Sequence, residues 1–422
     1  MSKDKHIPQG YKDSPLGIIP KDWEVKRLGS AFHIQGGFAF KSEEYKKRGI
    51  PIIRISNLPQ NNKYVDLKDC VYSDHALTIP IQFHVNHNDL LIAMSGATTG
   101  KVAIYNDTAK AYLNQRVGLF RQISSIITYQ YLTFLLSSDM YTYQLKPLLI
   151  AGAQPNIAPS DVESLKFPIP PIEEQGHIVK HLKLWDTAIE KQSELIEKLK
   201  LRKRALMQQL LTGKKRLPGF SGEWKRIKLG DIAERITRKN EEDNKNVVTI
   251  SAQRGFVVQT DFFNKSVASE TLDNYFLVHR DEFCYNKSYS NGYPMGAIKR
   301  LKSFDKAVVT TLYICFKLKN MDSVNIDFFE QYCESGIFNK DLVKVANEGG
   351  RAHGLLNVTP ADFFNMHMRI PNIDEQNAIA TVLVNADKEI ELAKDNLTSL
   401  QSQKRGLMQQ LLTGKIRTTN FE

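Results

Sequence analysis

Between positions 174 and 212 the chain has no proline, and apolar residues fall at Ile178, Leu182, Trp185, Ile189, Ile196, Leu199, Leu206 and Leu210. The intervals alternate between four and three, with Gln192 and Lys203 filling the remaining seam positions, so the pattern predicts a heptad stripe on one long helix. The same stripe returns at Ile379, Leu383, Ala386, Ile390, Ala393, Leu397, Leu400, Lys404, Leu407 and Leu411. Gly213 and Gly414 stand where a helix C-cap is expected. Each such helix is ~58 Å long at 1.5 Å per residue.

Ahead of each helix the pattern changes to short β-branched and aromatic runs separated by polar loops, at 52–57, 90–93, 247–251 and 308–316. Helical patterns follow at 129–137 and 326–336. This predicts an α/β (α+β) architecture of two globular domains with mixed sheets. The expected boundaries are 1–168 for a first domain with its N-terminal segment, 169–213 for the first spacer helix, 214–369 for a second domain, and 370–422 for the second helix and tail.

The two stretches are copies. The string LMQQLLTGK begins at Leu206 and again at Leu407, 201 positions later, and the register extends well beyond it. Ile169-Pro170 recurs as Ile370-Pro371, Glu174-Gln175 as Glu375-Gln376, Asp186 as Asp387, and Lys203-Arg204 as Lys404-Arg405. Upstream, Leu16, Trp23, Leu28 and Gly29 match Leu217, Trp224, Leu229 and Gly230, while Pro159 and Asp161 match Pro360 and Asp362. The segments between these matched ends differ, apart from fragments such as GKVAI at 100–104 and GAI at 296–298. Only the short link GKKRLPGFSG at 213–222 separates the first helix from the second domain. The second helix therefore pairs with the first most simply by running back along it, as an antiparallel coiled coil with a domain at each end. The alternatives are two helices that each pack into their own domain, or pairing between chains.

A net charge of +11 and a pI near 9.2 favour a polyanionic partner, since each cation that meets a phosphate releases a counterion. Cys70, Cys284, Cys315 and Cys333 show no CxxC spacing, which argues for reduced thiols rather than disulfides or structural zinc. No apolar run is long enough to span a bilayer and MSKDKHIPQG carries no signal-peptide core, so a cytoplasmic protein without membrane contact is expected.

Signals of catalysis are weak. GATTGKV at 96–102 resembles a phosphate-binding loop, but it is one residue short between the glycines and has Val102 where magnesium needs a hydroxyl. His177 and His181 have zinc-helix spacing, yet Ile178 stands where a metalloprotease carries its glutamate; His84 and His87 have no completing ligands. No metal site and no catalytic residue is expected. The basic run Lys198, Lys200, Arg202, Lys203, Arg204, continued by Lys214, Lys215 and Arg216, fits either a solvated helix end or phosphate contact.

Taken together the chain resembles the DNA specificity (S) subunit of type I restriction-modification systems. The resemblance rests on the duplicated segments Phe167-Pro-Ile-Pro-Pro-Ile-Glu-Glu-Gln175 and Arg369-Ile-Pro-Asn-Ile-Asp-Glu-Gln376, each opening a heptad helix, and on the duplicated LMQQLLTGK endings. RLPGFSGEW at 216–224 and AGAQPNI at 151–157 complete it. GGRAHGLLNV at 349–358 departs from the second of these forms. The resemblance implies two target recognition domains on an antiparallel coiled coil, each reading one half of an asymmetric, split double-stranded DNA target. It implies a non-catalytic subunit that recruits two methyltransferase subunits and restriction translocase subunits. S-adenosylmethionine, ATP and magnesium would then belong to those partners, with no cofactor in this chain. The alternatives are a stand-alone DNA-modifying enzyme and a coiled-coil interaction scaffold without DNA.

Base edges are read by Arg or Lys at guanine and Asn or Gln at adenine, while hydroxyls grip phosphate. In the first domain the polar loops nominate Lys41, Arg54, Asn57, Ser95, Thr98, Thr99, Lys101, Asn114, Gln115, Arg116, Gln154 and Asn156 for DNA contact. In the second they nominate Arg238, Lys239, Gln253, Arg254, Asn286, Lys287, Tyr289, Asn291, Tyr293, Arg351 and His353.

Overall fold

The computed structural model describes residues 6–59, 63–74, 78–150, 155–259, 272–346, 351–352 and 355–418. They form two compact units, 1–191 with 397–422, and 192–396.

In the first unit a hairpin of β1 (Tyr11–Ser14) and β2 (Gly17–Pro20) precedes β3 (Glu24–Arg27), which pairs antiparallel with β12 (Lys166–Ile169). Between them lie two four-stranded sheets. One combines β4 (Phe32–Gly36), β8 (Leu90–Ala93), β9 (Val102–Ile104) and β11 (Val117–Gln122) in the order β4-β11-β8-β9. The other combines β5 (Ile50–Ile53), β6 (Val71–Ser73), β7 (His84–Val85) and β10 (Ala111–Leu113) in the order β6-β5-β10-β7, with β5 and β10 parallel. Helices α1 (Tyr129–Leu135), α2 (Asp139–Ile150) and α3 (Pro159–Ser164) follow.

The run Leu90-Leu-Ile-Ala93 lacks polar alternation because β8 is covered on both faces. Leu90 and Ile92 join the core beneath the helices with Phe32, Phe120 and Leu132; Leu91 and Ala93 join a second core with Ile53, Val85 and Leu119.

Long helix α4 (Ile172–Leu210) leads into the second unit. Here β13 (Lys225–Lys228) and α5 (Leu229–Ile232) come first. Strands β14 (Ala233–Ile236), β18 (Phe283–Asn286), β19 (Ala297–Arg300) and β21 (Ile314–Leu318) take the order β14-β21-β18-β19, the same path as β4-β11-β8-β9. β15 (Val248–Ser251) pairs with β16 (Gly255–Val258), and β17 (Phe276–His279) pairs with β20 (Lys306–Val309). A single parallel bridge, Val247 to Val308, joins these pairs, with Val308 N–H donating to the Asn246 carbonyl at 2.9 Å. The resulting sequence β16-β15-β20-β17 is the counterpart of β6-β5-β10-β7. Helices α6 (Ile326–Glu334) and α7 (Asn339–Ala346), a short hairpin of β22 (Arg351–Ala352) and β23 (Leu355–Leu356), and α8 (Pro360–Asn365) precede β24 (His367–Ile370), which pairs with β13. Helix α9 (Ile373–Leu412) closes the chain.

The expectation of mixed sheets needs a correction for the second unit. All its extended strand pairs among the described residues are antiparallel, because the parallel alignment found between β5 and β10 shrinks to that one bridge. The match of GKVAI to GAI is structural: both segments enter the edge strands β9 and β19.

The long helices pack antiparallel within each unit. In the first, Ile178, Val179 and Leu182 share a core with Met408, Leu411 and Leu412, and Lys404 Nζ meets Asp186 at 2.7 Å. In the second, Met207, Leu210 and Leu211 share a core with Ile379, Ala380 and Leu383, and Lys203 meets Asp387 at 2.6 Å. Each of these residues lies 201 positions from its counterpart, with the roles of the two helices exchanged. Of the predicted seam, Ile178, Leu182, Ile196, Leu199, Leu210, Ile379, Leu383, Ile390 and Leu411 are buried; Trp185, Ile189, Leu206, Leu397, Leu400 and Leu407 are half-buried. Gln192 donates to the Ala393 carbonyl at 2.8 Å, so a polar seam position is bonded across the pair. Gly213 and Gly414 both have φ of 69°, a left-handed C-terminal cap.

The same exchange governs the helix starts. Glu174, 3% exposed, accepts from Trp23 Nε1 at 2.8 Å and from Arg417 Nε at 2.8 Å, while Arg417 also meets Asp22 at 2.6 Å. Glu375, 1% exposed, accepts from Arg216 Nε at 2.5 Å and Nη2 at 2.6 Å. Gln175 accepts from Thr128 N–H and donates to the Ile126 and Pro170 carbonyls; Gln376 accepts from Asn325 N–H and donates to those of Ser323 and Pro371. Thr128 and Asn325 are the N-caps of α1 and α6, so each duplicated Glu-Gln locks the start of a long helix to its unit.

Candidate nucleic-acid interface

In the first unit β4 and β8 run parallel to each other and antiparallel to β11. The C-terminal ends of β4 and β8 therefore share one sheet edge with the start of β11, which the turn 114–116 joins to the end of β10. Five segments are tied together there. Gln115 N–H donates to the Phe38 carbonyl at 2.9 Å, Asn114 N–H to that of Ile53 at 3.1 Å, and Met94 N–H to that of Arg116 at 2.9 Å. Thr98 Oγ1 donates to the Ile55 carbonyl at 3.2 Å, and Gly96 N–H to that of Pro155 at 3.1 Å. A side chain at Gly37 would overlap the Asn114 carbonyl, so glycine lets the exit of β4 close on this turn.

The nominees of the first domain thus converge, but not all of them face outward. Asn57 is buried, accepting from Arg54 N–H and donating to the Asp66 carbonyl. Thr99 is buried and donates to the Gly96 and Pro155 carbonyls. Asn114 is buried beside Tyr45. Ser95 is half-buried and its Oγ is enclosed without a partner. Asn57, Thr99 and Asn114 shape the loops, because short polar side chains satisfy turn backbones that would otherwise be left unbonded. Lys41, Lys101, Gln115, Arg116 and Asn156 are exposed; Thr98 and Arg54 are half-buried. Gln154 lies outside the described residues.

The second unit repeats the arrangement with different residues. Arg238 and Lys239 leave β14, Gln253 and Arg254 form the β15–β16 turn, and 287–293 follow β18. Gln253 Nε2 donates to the Asn291 carbonyl at 2.9 Å, Asn286 Nδ2 to that of Ile250 at 3.1 Å, and Leu356 N–H to that of Lys287 at 3.0 Å. Gly296, at φ 76°, sits against the Asn286 carbonyl where a side chain does not fit. Arg238 is held by Glu282 at 3.1 Å, and Lys239 donates to the Asn274 carbonyl over the Phe276 ring. Tyr293 donates to Glu334 at 2.9 Å and accepts from Lys299; burial, followed by the Glu334 charge, pushes its hydroxyl above the usual tyrosine range. Arg238, Lys239, Asn286 and Tyr293 are therefore engaged internally. Arg254, Tyr289 and Asn291 are exposed and Lys287 is half-buried. His353 and the side chain of Arg351 lie outside the described residues.

The basic run on α4 divides. Lys200, Arg202, Lys203 and Arg216 are paired with Glu197, Glu389, Asp387 and Glu375, whereas Lys198, Arg204, Lys214 and Lys215 are exposed. Among the described residues no group of His, Cys, Asp or Glu is placed to hold a metal, and no helix is long and apolar enough to cross a membrane. The loop 96–102 is a tight turn closed by Thr99 and tied to 155–157.

Sequence reasoning passed over Tyr45, on whose ring Arg54 lies, and the Trp23-Glu174-Arg417 and Arg216-Glu375 clamps. The 201-residue register signals the clamps, since Arg216 and Arg417 are counterparts; nothing local marks Tyr45.

Residues 20–201 match the family model described as type I restriction modification DNA specificity domain. The chain is similar to the type I restriction enzyme MjaVIII specificity subunit of Methanocaldococcus jannaschii, 32% identical over 217 residues, covering 50% of this chain and 51% of that one. It is also similar to the MjaX type I restriction enzyme specificity subunit of the same organism, 28% identical over 446 aligned positions and 97% of each chain. The chain thus spans about half the length of the MjaVIII subunit and nearly all of the MjaX subunit. Among solved structures it resembles the S subunit of the type I restriction-modification system from M. genitalium, with TM-score 0.51 and 16% identity, covering 92% of this chain and 96% of that one. A chain from work on complex assembly and conformational transition of the type I R-M system gives TM-score 0.59 and 15% identity, covering 94% and 99%. At these identities the likeness speaks to the fold, and the fold is the one built above. A specificity domain matched over residues 20–201, a relative aligned along nearly the whole chain and a frame of reciprocal helix clamps together make the chain similar to type I restriction-modification DNA specificity subunits.

Proposed function

We propose that the chain is the DNA sequence-recognition and assembly subunit of a type I restriction-modification complex, without catalytic chemistry of its own. One observation carries the reading: the frame is duplicated at a constant 201-residue register with its helix clamps exchanged, while the loops at the two corresponding sheet edges are unlike. Two equivalent scaffolds with different reading surfaces suit an asymmetric bipartite target, one half-site per unit, separated by bases that neither unit reads. Methyltransferase and restriction subunits would supply the S-adenosylmethionine, ATP and magnesium chemistry.

On this reading exposed Lys41, Lys101 and Arg116 in the first unit and Arg254 in the second meet phosphate or base edges, while the buried loop residues hold the surface in shape. The test is a methylome of a host with and without this gene, co-expressed with a methyltransferase partner. A split adenine-methylated motif that disappears with the gene is expected. Methylation by this chain alone would favour a self-contained enzyme, and an unchanged methylome with a folded, assembled complex would favour an interaction scaffold.

A further inference from the structure

Six arginines among the described residues are half-buried: Arg54, Arg121, Arg216, Arg238, Arg300 and Arg417. Five of them meet a carboxylate, at Asp89, Glu375, Glu282, Asp281 and Glu174 respectively. Arg54 meets none among the described residues. Its guanidinium carbon lies 5.7 Å from the centroid of the Tyr45 ring, its Nε is enclosed without a partner, and its Nη2 reaches only the Asp69 carbonyl at 3.4 Å.

The backbone that carries this side chain is fixed in place. Arg54 N–H donates to Asn57 Oδ1 at 3.0 Å and its carbonyl accepts from Asn57 N–H at 2.8 Å, while buried Asn57 is anchored to Asp66. Tyr45 in turn accepts from Asn114 Nδ2 at 3.5 Å, which links the platform to the turn carrying Gln115 and Arg116. A cation partly removed from water with no carboxylate to offset the loss is unfavourable in the free protein. It is compatible with stable folding when an external acceptor completes it. A planar fork held on an aromatic face matches a pair of acceptors in one plane, as the O6 and N7 atoms of guanine present them in the major groove. Phosphates can be met more cheaply by exposed Lys101 and Arg116, which need no fixed plane.

We propose that Arg54, lying over the ring of Tyr45, reads a guanine in the half-site of the first unit, with Tyr45 as its positioning residue. The proposal rests on the DNA-recognition reading above. It is tested with the full chain and its methyltransferase partner by comparing methylomes of the wild type, Arg54→Ala, Arg54→Lys and Tyr45→Leu. The expected result for Arg54→Ala is that one guanine position in one half-site accepts other bases, with the second half-site and the gap unchanged. Discrimination at that position falls about 5- to 150-fold in binding to matched and substituted duplexes. Arg54→Lys keeps the charge but loses the fork, so it relaxes the same position; Tyr45→Leu relaxes it less. A retained second half-site shows that each variant is folded and assembled. An unchanged motif with binding weakened equally on every sequence would make Arg54 a phosphate contact and overturn the proposal, as would full discrimination in both Arg54 variants. Failure of the recognition reading is distinct, because the wild type then leaves no gene-dependent motif.

Discussion

Glu174 and Glu375 show how single residues carry the repeat. Each is buried at the start of a long helix and neutralised by an arginine that follows the end of the other helix, Arg417 or Arg216. Arg417→Ala strands Glu174 with Trp23 Nε1 as its remaining side-chain partner among the described residues. The expected cost is roughly 2–3 kcal/mol, below the 3–5 of a fully buried pair because Arg417 keeps part of its surface in water; urea unfolding with an unchanged slope measures it. Gly37→Ala drives a methyl into the Asn114 carbonyl and is expected to cost about 1–3 kcal/mol. DNA assays should show it weakening reading by the first unit while the second half-site stays intact. The repeated Glu-Gln was visible in the sequence, but its partners lie up to 243 positions away and no local pattern names them.

At the scale of elements, the heptad stripe revealed both long helices and their seam. It was too narrow, however: Val179, Met207, Leu211, Ala380, Met408 and Leu412 are also buried. Near its ends each helix packs on its partner helix and on its own globular unit at once, so the apolar stripe widens beyond a two-position seam. The ion pairs Asp186–Lys404 and Lys203–Asp387 cross this seam in each unit. Asp186→Lys is expected to lower the thermal midpoint of the first unit, and adding Lys404→Asp to restore most of the loss. A coupling of about 0.5–3 kcal/mol is the range for contacting residues, and no recovery in the double variant would mean the pair contributes nothing there.

For the whole molecule, the helices act in the proposed function as the spacer between reading surfaces. One heptad inserted at equivalent positions of both helices adds ~10.5 Å at 1.5 Å per residue. That is about three base pairs of B-DNA at ~3.4 Å each. The methylated motif is expected to keep both half-sites and widen its unread gap; an unchanged gap would show that something other than the helices sets it. Binding should also weaken steeply with salt, and Lys101→Ala should reduce the slope of log K against log salt by about one without changing sequence preference.

The sequence by itself determined what repeats: heptads, caps and proline-bounded exits are local or periodic signals, and duplication at a constant 201-residue offset made them legible twice. It also marked the polar loops, because turn chemistry is written in short stretches. Only the tertiary structure decided which of those loop residues face outward. Asn57, Thr99 and Asn114 look in sequence like Lys101, Gln115 and Arg116, yet they are buried because Asn57 and Thr99 complete backbone bonds of neighbouring loops and Asn114 bonds its own turn and Tyr45. Strand order was likewise settled only in three dimensions. The paths β4-β11-β8-β9 and β14-β21-β18-β19 are the same although their residues differ, since a strand covered on both faces needs only apolar side chains of suitable size.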